Sequence, residues 1–428
     1  MREKIDWYDE FIDLNYTPAK HDLVCLYYFE PAKGISAEEA IGRIASESSA
    51  GTWTTLHELP ARVEKIKARA YELSGRYVKV AYPIDLWEPG NAPQLLSGIA
   101  GNIFGMKALR NLRLIDASLP ARYIKHFRGP HHGIGGIRKL LKVGRRPITG
   151  AVPKPKIGFS AAEHARVAYE TWMGGFDLVK DDENLTSTSF NRFEERVERM
   201  AKFKEKAQKQ TGEEKDALLN ITGETKEMIR KAKLLSDSGF RFAMIDVVTC
   251  GTASVQTLRD ECGDLGLAIH AHRAMHATFD RNPKHGITMY FLAKLMRLVG
   301  VDEIHAGTAV GKLVSTKKEI NLIADVLREQ KIKEPMVQDW GLIKPALPVS
   351  SGGLHPGLIP PVMHILGNDC TLLVSGGIHG HPKGTRAGAM AVMQAIEAAM
   401  EGIDLSEYSR THRELQQALE KWEYLKPK

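Results

Sequence analysis

The chain has 428 residues, 43% hydrophobic and 26% charged, with a formal net charge of +7. That balance belongs to a folded globular protein of two or three domains, and no apolar run nears the roughly 20 residues that span a bilayer, so no membrane partner is expected. The basic residues are interleaved with acids, as in Glu194-Glu195-Arg196, without an arginine-rich arm or an aromatic RNA-binding pattern; nucleic acid is not an expected partner, and an anionic small substrate explains the excess equally well.

In chain order, His21–Glu30 is an apolar, aromatic run that predicts a strand, and Ser36–Ser46 predicts a helix capped by Ser36 with Glu38 and Glu39 in its first turn. Leu56–Val63 and Tyr77–Ala81 read as further strands, and Met106–Leu112 as the start of a helix. This mixture predicts a small α+β domain over residues 1–125. Arg128–Arg146, rich in Gly, Lys, Arg and His, reads as a connector.

From Pro147 onward the rhythm changes. Short apolar runs recur at Ile148–Val152, Phe176–Val179, Ala217–Ile221, Phe242–Val248, Leu267–His270, Glu303–His305, Ala346–Val349 and Thr371–Val374, each followed by a loop and an amphipathic helix. These runs predict an α/β fold in which residues 126–428 form a (β/α)8 TIM barrel. Ser160 and Glu163 have the spacing of a capping box, Thr316–Gln330 carries an apolar helical face, and Asp404–Lys428 reads as outer amphipathic helix. Cys25, Cys250, Cys262 and Cys370 have no paired metal-ligand spacing, and the charged N-terminus is unlike a secretory signal; both predict a reduced, cytoplasmic protein.

In such a barrel, chemistry sits at the C-terminal strand ends. Lys154 and Lys156 follow strand 1; Lys180, Asp182 and Glu183 follow strand 2; His270, His272 and Arg273 end strand 5. His305 ends strand 6, Ser351, Gly352 and Gly353 end strand 7, and Ser375, Gly376 and Gly377 end strand 8. Lys180-Asp181-Asp182-Glu183 alone is an acidic turn with a lysine. Two-residue periodicity, however, puts Lys180 and Asp182 on one strand face. Two carboxylates and one further oxygen ligand would suit Mg²⁺. The paired glycines at consecutive strand ends suit close approach of backbone N–H groups to a phosphate. Thr308–Ser315, with Lys312 just after Gly307 and Gly311, is either an ordinary loop or a closing lid.

The segments GGFDLVKDDEN (Gly174–Asn184), KPK (Lys154–Lys156), HAHRAMH (His270–His276), HAGTAVGKL (His305–Leu313), SSGG (Ser350–Gly353) and GHP (Gly380–Pro382) resemble the RuBisCO large subunit, as do ESSAGTWTT (Glu47–Thr55) and GNIFGMKALRNLRL (Gly101–Leu114). The likeness covers nearly the whole chain in family order, and its wording is most like the archaeal form III branch, which works without small subunits. It implies carboxylation of ribulose-1,5-bisphosphate by CO₂, with O₂ in a side reaction. It also implies a Mg²⁺ ion on Asp182, Glu183 and a Lys180 carbamylated by activating CO₂. Lys154, Lys180, His272 and Lys312 would be catalytic, with Lys156 near Lys154. One phosphate would sit with Thr52, Trp53, Gly353, Gly376 and Gly377, beside Gly352. The other would sit with Arg273, His305 and Ser351. Glu47, Thr52, Trp53 and Asn102 would serve the active site of a second subunit, making a homodimer the minimum unit. Two positions depart from the common pattern: Val152 where many members have threonine, and Ser375 where many have glycine. The alternative is a RuBisCO-like enolase or isomerase acting on another phosphorylated sugar, against which Lys154 and Lys312 argue.

Overall fold

The computed structural model describes residues 7–54, 56–308, 310 and 316–423. The chain divides into two compact units: one runs to Arg128 and also includes Met275–Val299 and Glu329–Ile343, and the other comprises Gly129–Ala274, Gly300–Arg328 and the chain from Lys344.

In the first unit, β1 (Leu23–Pro31) lies between the antiparallel neighbours β3 (Tyr77–Tyr82) and β4 (Leu109–Ser118), with β2 (Arg69–Ser74) outside β3. Gly286–Ile287 adds a short parallel edge to β4. The Ser36 side chain caps the helix Ala37–Glu47 by accepting from Glu39 N at 3.0 Å, as expected. Below the sheet, Lys294 and Asp116 form a fully buried pair at 2.8 Å.

Two local expectations fail here. Leu56–Val63 is not a strand: a helix covers Ala61–Ile66 and buries none of its residues, so no sheet neighbour is there to pair with it. Met106–Leu112 does not start a helix but leads into β4. Leu109 and Leu112 have helical spacing, while Leu112 and Leu114 have strand spacing. Pairing with β1 decides for the strand and buries both Leu112 and Leu114.

The second unit is a barrel of eight parallel strands: β5 (Ile148–Ala151), β6 (Leu178–Lys180), β7 (Asp216–Leu218), β8 (Phe242–Asp246), β9 (Ala268–His272), β10 (Glu303–His305), β11 (Leu347–Ser351) and β12 (Thr371–Leu373). Each predicted run supplies one strand. The ring closes between β7 and β8, where Met244 N donates to Leu219 O at 3.0 Å and Ile221 N to Met244 O at 3.1 Å. Both faces of each strand are covered, so nearly every strand residue is buried, the polar Glu303, His270 and Thr371 included.

The segment read as a connector contains a helix, Gly133–Leu141. Ile137 and Leu141 on it pack with Ile148, Leu178, Phe242, Ala268 and Leu347, the first residues of their strands. The helix therefore plugs the N-terminal mouth, and the polar strand ends are left to the other. Ser160 and Glu163 form the expected capping box on the helix Ala161–Met173. The C-terminal stretch holds a short turn of helix, Leu405–Tyr408, and a longer one, Arg413–Trp422. Among the described residues no helix is long and apolar enough to cross a membrane.

Candidate active site

Lys180 is the last residue of β6 and is 1% exposed, its Nζ donating to Asp181 O at 2.9 Å. Burial holds its ammonium below the ordinary lysine value, against the opposing pull of Glu183, Asp246 and Asp182. Asp181 and Asp182 leave the strand on opposite sides, as the pleat requires. Asp181 is fully buried against Arg196 at 3.0 Å, His164 at 3.1 Å and the Asn220 N–H at 2.9 Å. Asp182 accepts at Oδ1 from Asn184, and its Oδ2 stands 3.4 Å from Lys154 Nζ. Burial would raise the Asp182 carboxyl, but the Asn184 hydrogen bonds and the two lysines outweigh it and hold it down as an anion. Glu183 stands 3.6 Å from His272 Nε2. Asn220 Nδ2 secures this turn by donating to Asp182 O and Glu183 O at 3.3 and 3.1 Å.

The histidines of β9 and β10 stand beside this group. His272 Nδ1 is 2.6 Å from Asp246 Oδ1, at the end of β8. His270 Nδ1 is 2.7 Å from Glu303 Oε1, His270 Nε2 is 3.0 Å from His305 Nε2, and His305 Nδ1 is 2.8 Å from Ser351 Oγ. The His272 and His305 rings meet edge to face at 4.7 Å. Burial lowers the pKa of all three rings, with Lys180 adding to the effect. Arg273, also buried, contributes to the lowering at His305.

At the next two strand ends, Gly352 and Gly353 have φ of +109° and +78°, a region that side chains rarely adopt. A Cβ on Gly377 would lie 2.3 Å from Leu354 O. Ser375, which stands where many family members have glycine, accepts at Oγ from Val152 N at 2.9 Å. The two departures are thus joined: the serine hydroxyl satisfies the backbone of the valine. The Val152 carbonyl in turn faces His379 Nε2 at 3.0 Å.

Lys154, Lys180, Asp182, Glu183, His272, His305 and Ser351 are brought together at one barrel mouth. Lys156 is exposed. Glu47, Thr52, Trp53 and Asn102 belong to the first unit, where Trp53 is 74% exposed and Asn102 exposed. Lys312 lies outside the described residues. Asp246, Glu303 and Thr371 were not singled out by sequence reasoning. Asp246 ends the observed strand β8 but lies two residues inside the predicted run Phe242–Val248, so the strand-end rule finds it only once the true end of the strand is known. Glu303 begins its run and Thr371 its own, where the rule does not look.

Among the described residues no three His, Cys, Asp or Glu side chains form a metal-binding group. Asp182 and Glu183 supply two hard anionic oxygens, so Lys180 must acquire an oxygen for the set to suit Mg²⁺. Its burial, which favours the neutral nucleophilic amine, fits that requirement.

Eight parallel strands with charged and imidazole side chains at one mouth define a barrel enzyme of the (β/α)8 class. The family models for the ribulose bisphosphate carboxylase large chain match it at residues 10–123 (N-terminal domain) and 133–422 (catalytic domain). The chain belongs to this family. It is 51% identical over 429 residues to a ribulose bisphosphate carboxylase of Pyrococcus abyssi, covering 99% of each chain. An octameric Rubisco from Pyrococcus horikoshii solved with sulfate superposes with a TM-score of 0.93 at 49% identity, covering 100% of this chain and 99% of that one. A dimeric archaeal Rubisco from Hyperthermus butylicus gives 0.93 at 48% identity, covering 98% and 100%.

Proposed function

We propose that this chain is a ribulose-1,5-bisphosphate carboxylase of the archaeal form III kind, a cytoplasmic carbon–carbon lyase that also reacts with O₂. The observation that carries the reading is the buried, low-pKa Lys180 beside Asp182 and Glu183, with Lys154 and His272 at the same mouth. The neutral Lys180 amine adds to activating CO₂, forms an N–C bond and releases a proton, giving a carbamate. The carbamate, Asp182 and Glu183 would hold Mg²⁺, which would supply Lewis-acid stabilisation of negative charge on substrate oxygens.

The carbamate oxygen takes the C3 proton of ribulose bisphosphate, and the resulting enediol carbon attacks CO₂. Water then adds at C3, with His272 moving the proton and Asp246 fixing the ring. The C2–C3 bond breaks, and Lys154 protonates the C2 carbanion, completing two molecules of 3-phosphoglycerate. Gly352, Gly353, Gly376 and Gly377 bring backbone N–H groups to one phosphate, and Arg273, His305 and Ser351 line the site of the other. Lys312 covers the added carboxylate, and Lys156 stays near Lys154. Residues 1–125 supply Glu47, Thr52, Trp53 and Asn102 to a second copy's barrel (residues 126–428), so a homodimer without small subunits is the catalytic unit.

The test is incubation of pure protein with ribulose bisphosphate, Mg²⁺ and labelled bicarbonate. Labelled 3-phosphoglycerate is expected. Its absence from fully activated protein removes the reading, and an enolised but uncarboxylated product points instead to a RuBisCO-like enolase.

A further inference from the structure

His379 is not among the groups the mechanism uses, yet it is bonded at both ring nitrogens. It is the last residue of a short helix that follows β12, Gly376–His379. Its Nε2 faces the Val152 carbonyl at 3.0 Å, and its Nδ1 faces Thr385 Oγ1 at 3.0 Å, at the start of the long helix Thr385–Glu401. A carbonyl only accepts, so Nε2 carries a hydrogen whatever the charge on the ring. The threonine hydroxyl donates or accepts as Nδ1 requires, so both bonds stand in either protonation state. Burial pushes the ring down to about 4, against the pull of the Val152 bond, with Lys154 and His164 adding to the lowering.

The N–H and the carbonyl of Val152 belong to different peptide planes. Ser375 Oγ accepts from the N–H and so holds the plane joining Ala151 to Val152. The carbonyl belongs to the next plane, which joins Val152 to Pro153. Proline has no N–H, so this plane can be held only through its carbonyl, and among the described residues the partner of that carbonyl is His379. The proline ring then fixes its own φ at roughly −65°. One free backbone angle, ψ of Pro153, is left between the held plane and the Cα of Lys154. At the far end of this short path, Lys154 Nζ stands 3.4 Å from Asp182 Oδ2.

We infer that His379 is a positioning residue for Lys154: by holding the Val152–Pro153 peptide it aims the Lys154 side chain at the carbon that Lys154 protonates. The identity of that carbon rests on the carboxylase reading; the hold on Lys154 does not. When the C2–C3 bond breaks, the electron pair left on C2 has two fates. A proton from Lys154 turns it into a C–H bond and gives 3-phosphoglycerate. Without a timely proton, the pair forms a C1=C2 double bond, the C1–O bond breaks and inorganic phosphate leaves. The enol that remains tautomerises to pyruvate. The new carboxyl group is on C2, so label from bicarbonate marks both products.

Two amides of different reach provide the test. His379→Asn keeps a polar group near the Nδ1 position but falls short of the Val152 carbonyl, whereas His379→Gln carries an N–H to the Nε2 position. The activated enzyme is given ribulose bisphosphate and labelled bicarbonate, and the labelled products are separated. In His379→Asn the ratio of labelled pyruvate to labelled 3-phosphoglycerate should rise roughly tenfold, since displacing a reacting group by about 1 Å costs up to about 100-fold. KM for ribulose bisphosphate should change little, and His379→Gln should return the ratio to near the wild-type value. His379→Leu, which keeps neither bond, should match His379→Asn and replaces it should that variant not fold. An unchanged ratio in His379→Asn or His379→Leu, or an equal rise in His379→Gln, overturns the inference. A wild-type protein that makes no labelled 3-phosphoglycerate removes the carboxylase reading instead. Crystal structures of the wild type and His379→Asn then decide the hold on Lys154: displacement of Lys154 Nζ from Asp182 supports it, and an unmoved Lys154 overturns it.

Discussion

The β6 end and the β9–β11 ends of the barrel differ in how tightly their polar groups are held. Beyond β6, Lys154 and Asp182 stand 3.4 Å apart, and Glu183 and His272 stand 3.6 Å apart. Across β8 to β11, Asp246–His272, Glu303–His270, His270–His305 and His305–Ser351 close at 2.6, 2.7, 3.0 and 2.8 Å. Groups with lone pairs to spare can take a ligand, whereas groups whose partners are already in place orient their neighbours. The same contrast falls between adjacent residues. Asp181 is enclosed by Arg196, His164 and Asn220, with Arg196 and the Asn220 N–H both on its Oδ2, while Asp182 faces the mouth.

The largest effect should follow from removing the chemistry of the loose cluster. Lys180→Met should abolish incorporation of labelled bicarbonate while the thermal unfolding midpoint stays the same or rises, because an apolar side chain replaces a buried amine. Full activity in that variant would make the metal-site assignment wrong.

Breaking the ion-paired neighbour should do the opposite. Asp181→Leu leaves Arg196 buried without its carboxylate and should cost about 3–5 kcal/mol of stability in chemical denaturation. Burial pushes the Asp181 carboxyl up, but Arg196 and His164 outweigh it and hold the folded value below the ordinary one. Its contribution is therefore complete above the ordinary aspartate range and is lost as pH falls through the lowered value. Asp181→Asn should flatten that acid limb of the stability curve. An unchanged limb would mean that Asp181 is not the titrating group.

Within the tight cluster, Asp246→Asn keeps the shape but can reverse the hydrogen bond to His272. Turnover should fall about 10- to 100-fold, the usual cost of losing a partner that orients a histidine, with KM for ribulose bisphosphate little changed. The smallest effect is expected at Ser375→Gly. It leaves Val152 N–H without its 2.9 Å acceptor and should cost about 1 kcal/mol in melting experiments without changing the products. A gain in stability there would mean that the serine is a burden on the site rather than a support for Val152.

Much of this molecule is legible in the amino-acid order. Eight apolar runs, the capping box at Ser160 and Glu163, and the two-residue spacing of Lys180 and Asp182 rest on short-range periodicity, which survives without knowledge of neighbours. Leu56–Val63, Met106–Leu112 and the helix Gly133–Leu141 were misread because their local patterns fit more than one element, and the choice depends on a distant partner: β1 for β4, and the barrel floor for the helix.

The family motifs likewise name the residues of the site but not their direction. That Asp181 turns away and Asp182 toward the mouth, that Asp246 holds His272, and that Ser375 answers Val152 across more than two hundred residues are decided by tertiary structure alone. The order of Glu303, His270, His305 and Ser351 is decided in the same way. Periodicity and composition act along the chain, whereas hydrogen-bond direction and the pKa of a buried group depend on atoms that only the closed barrel brings together.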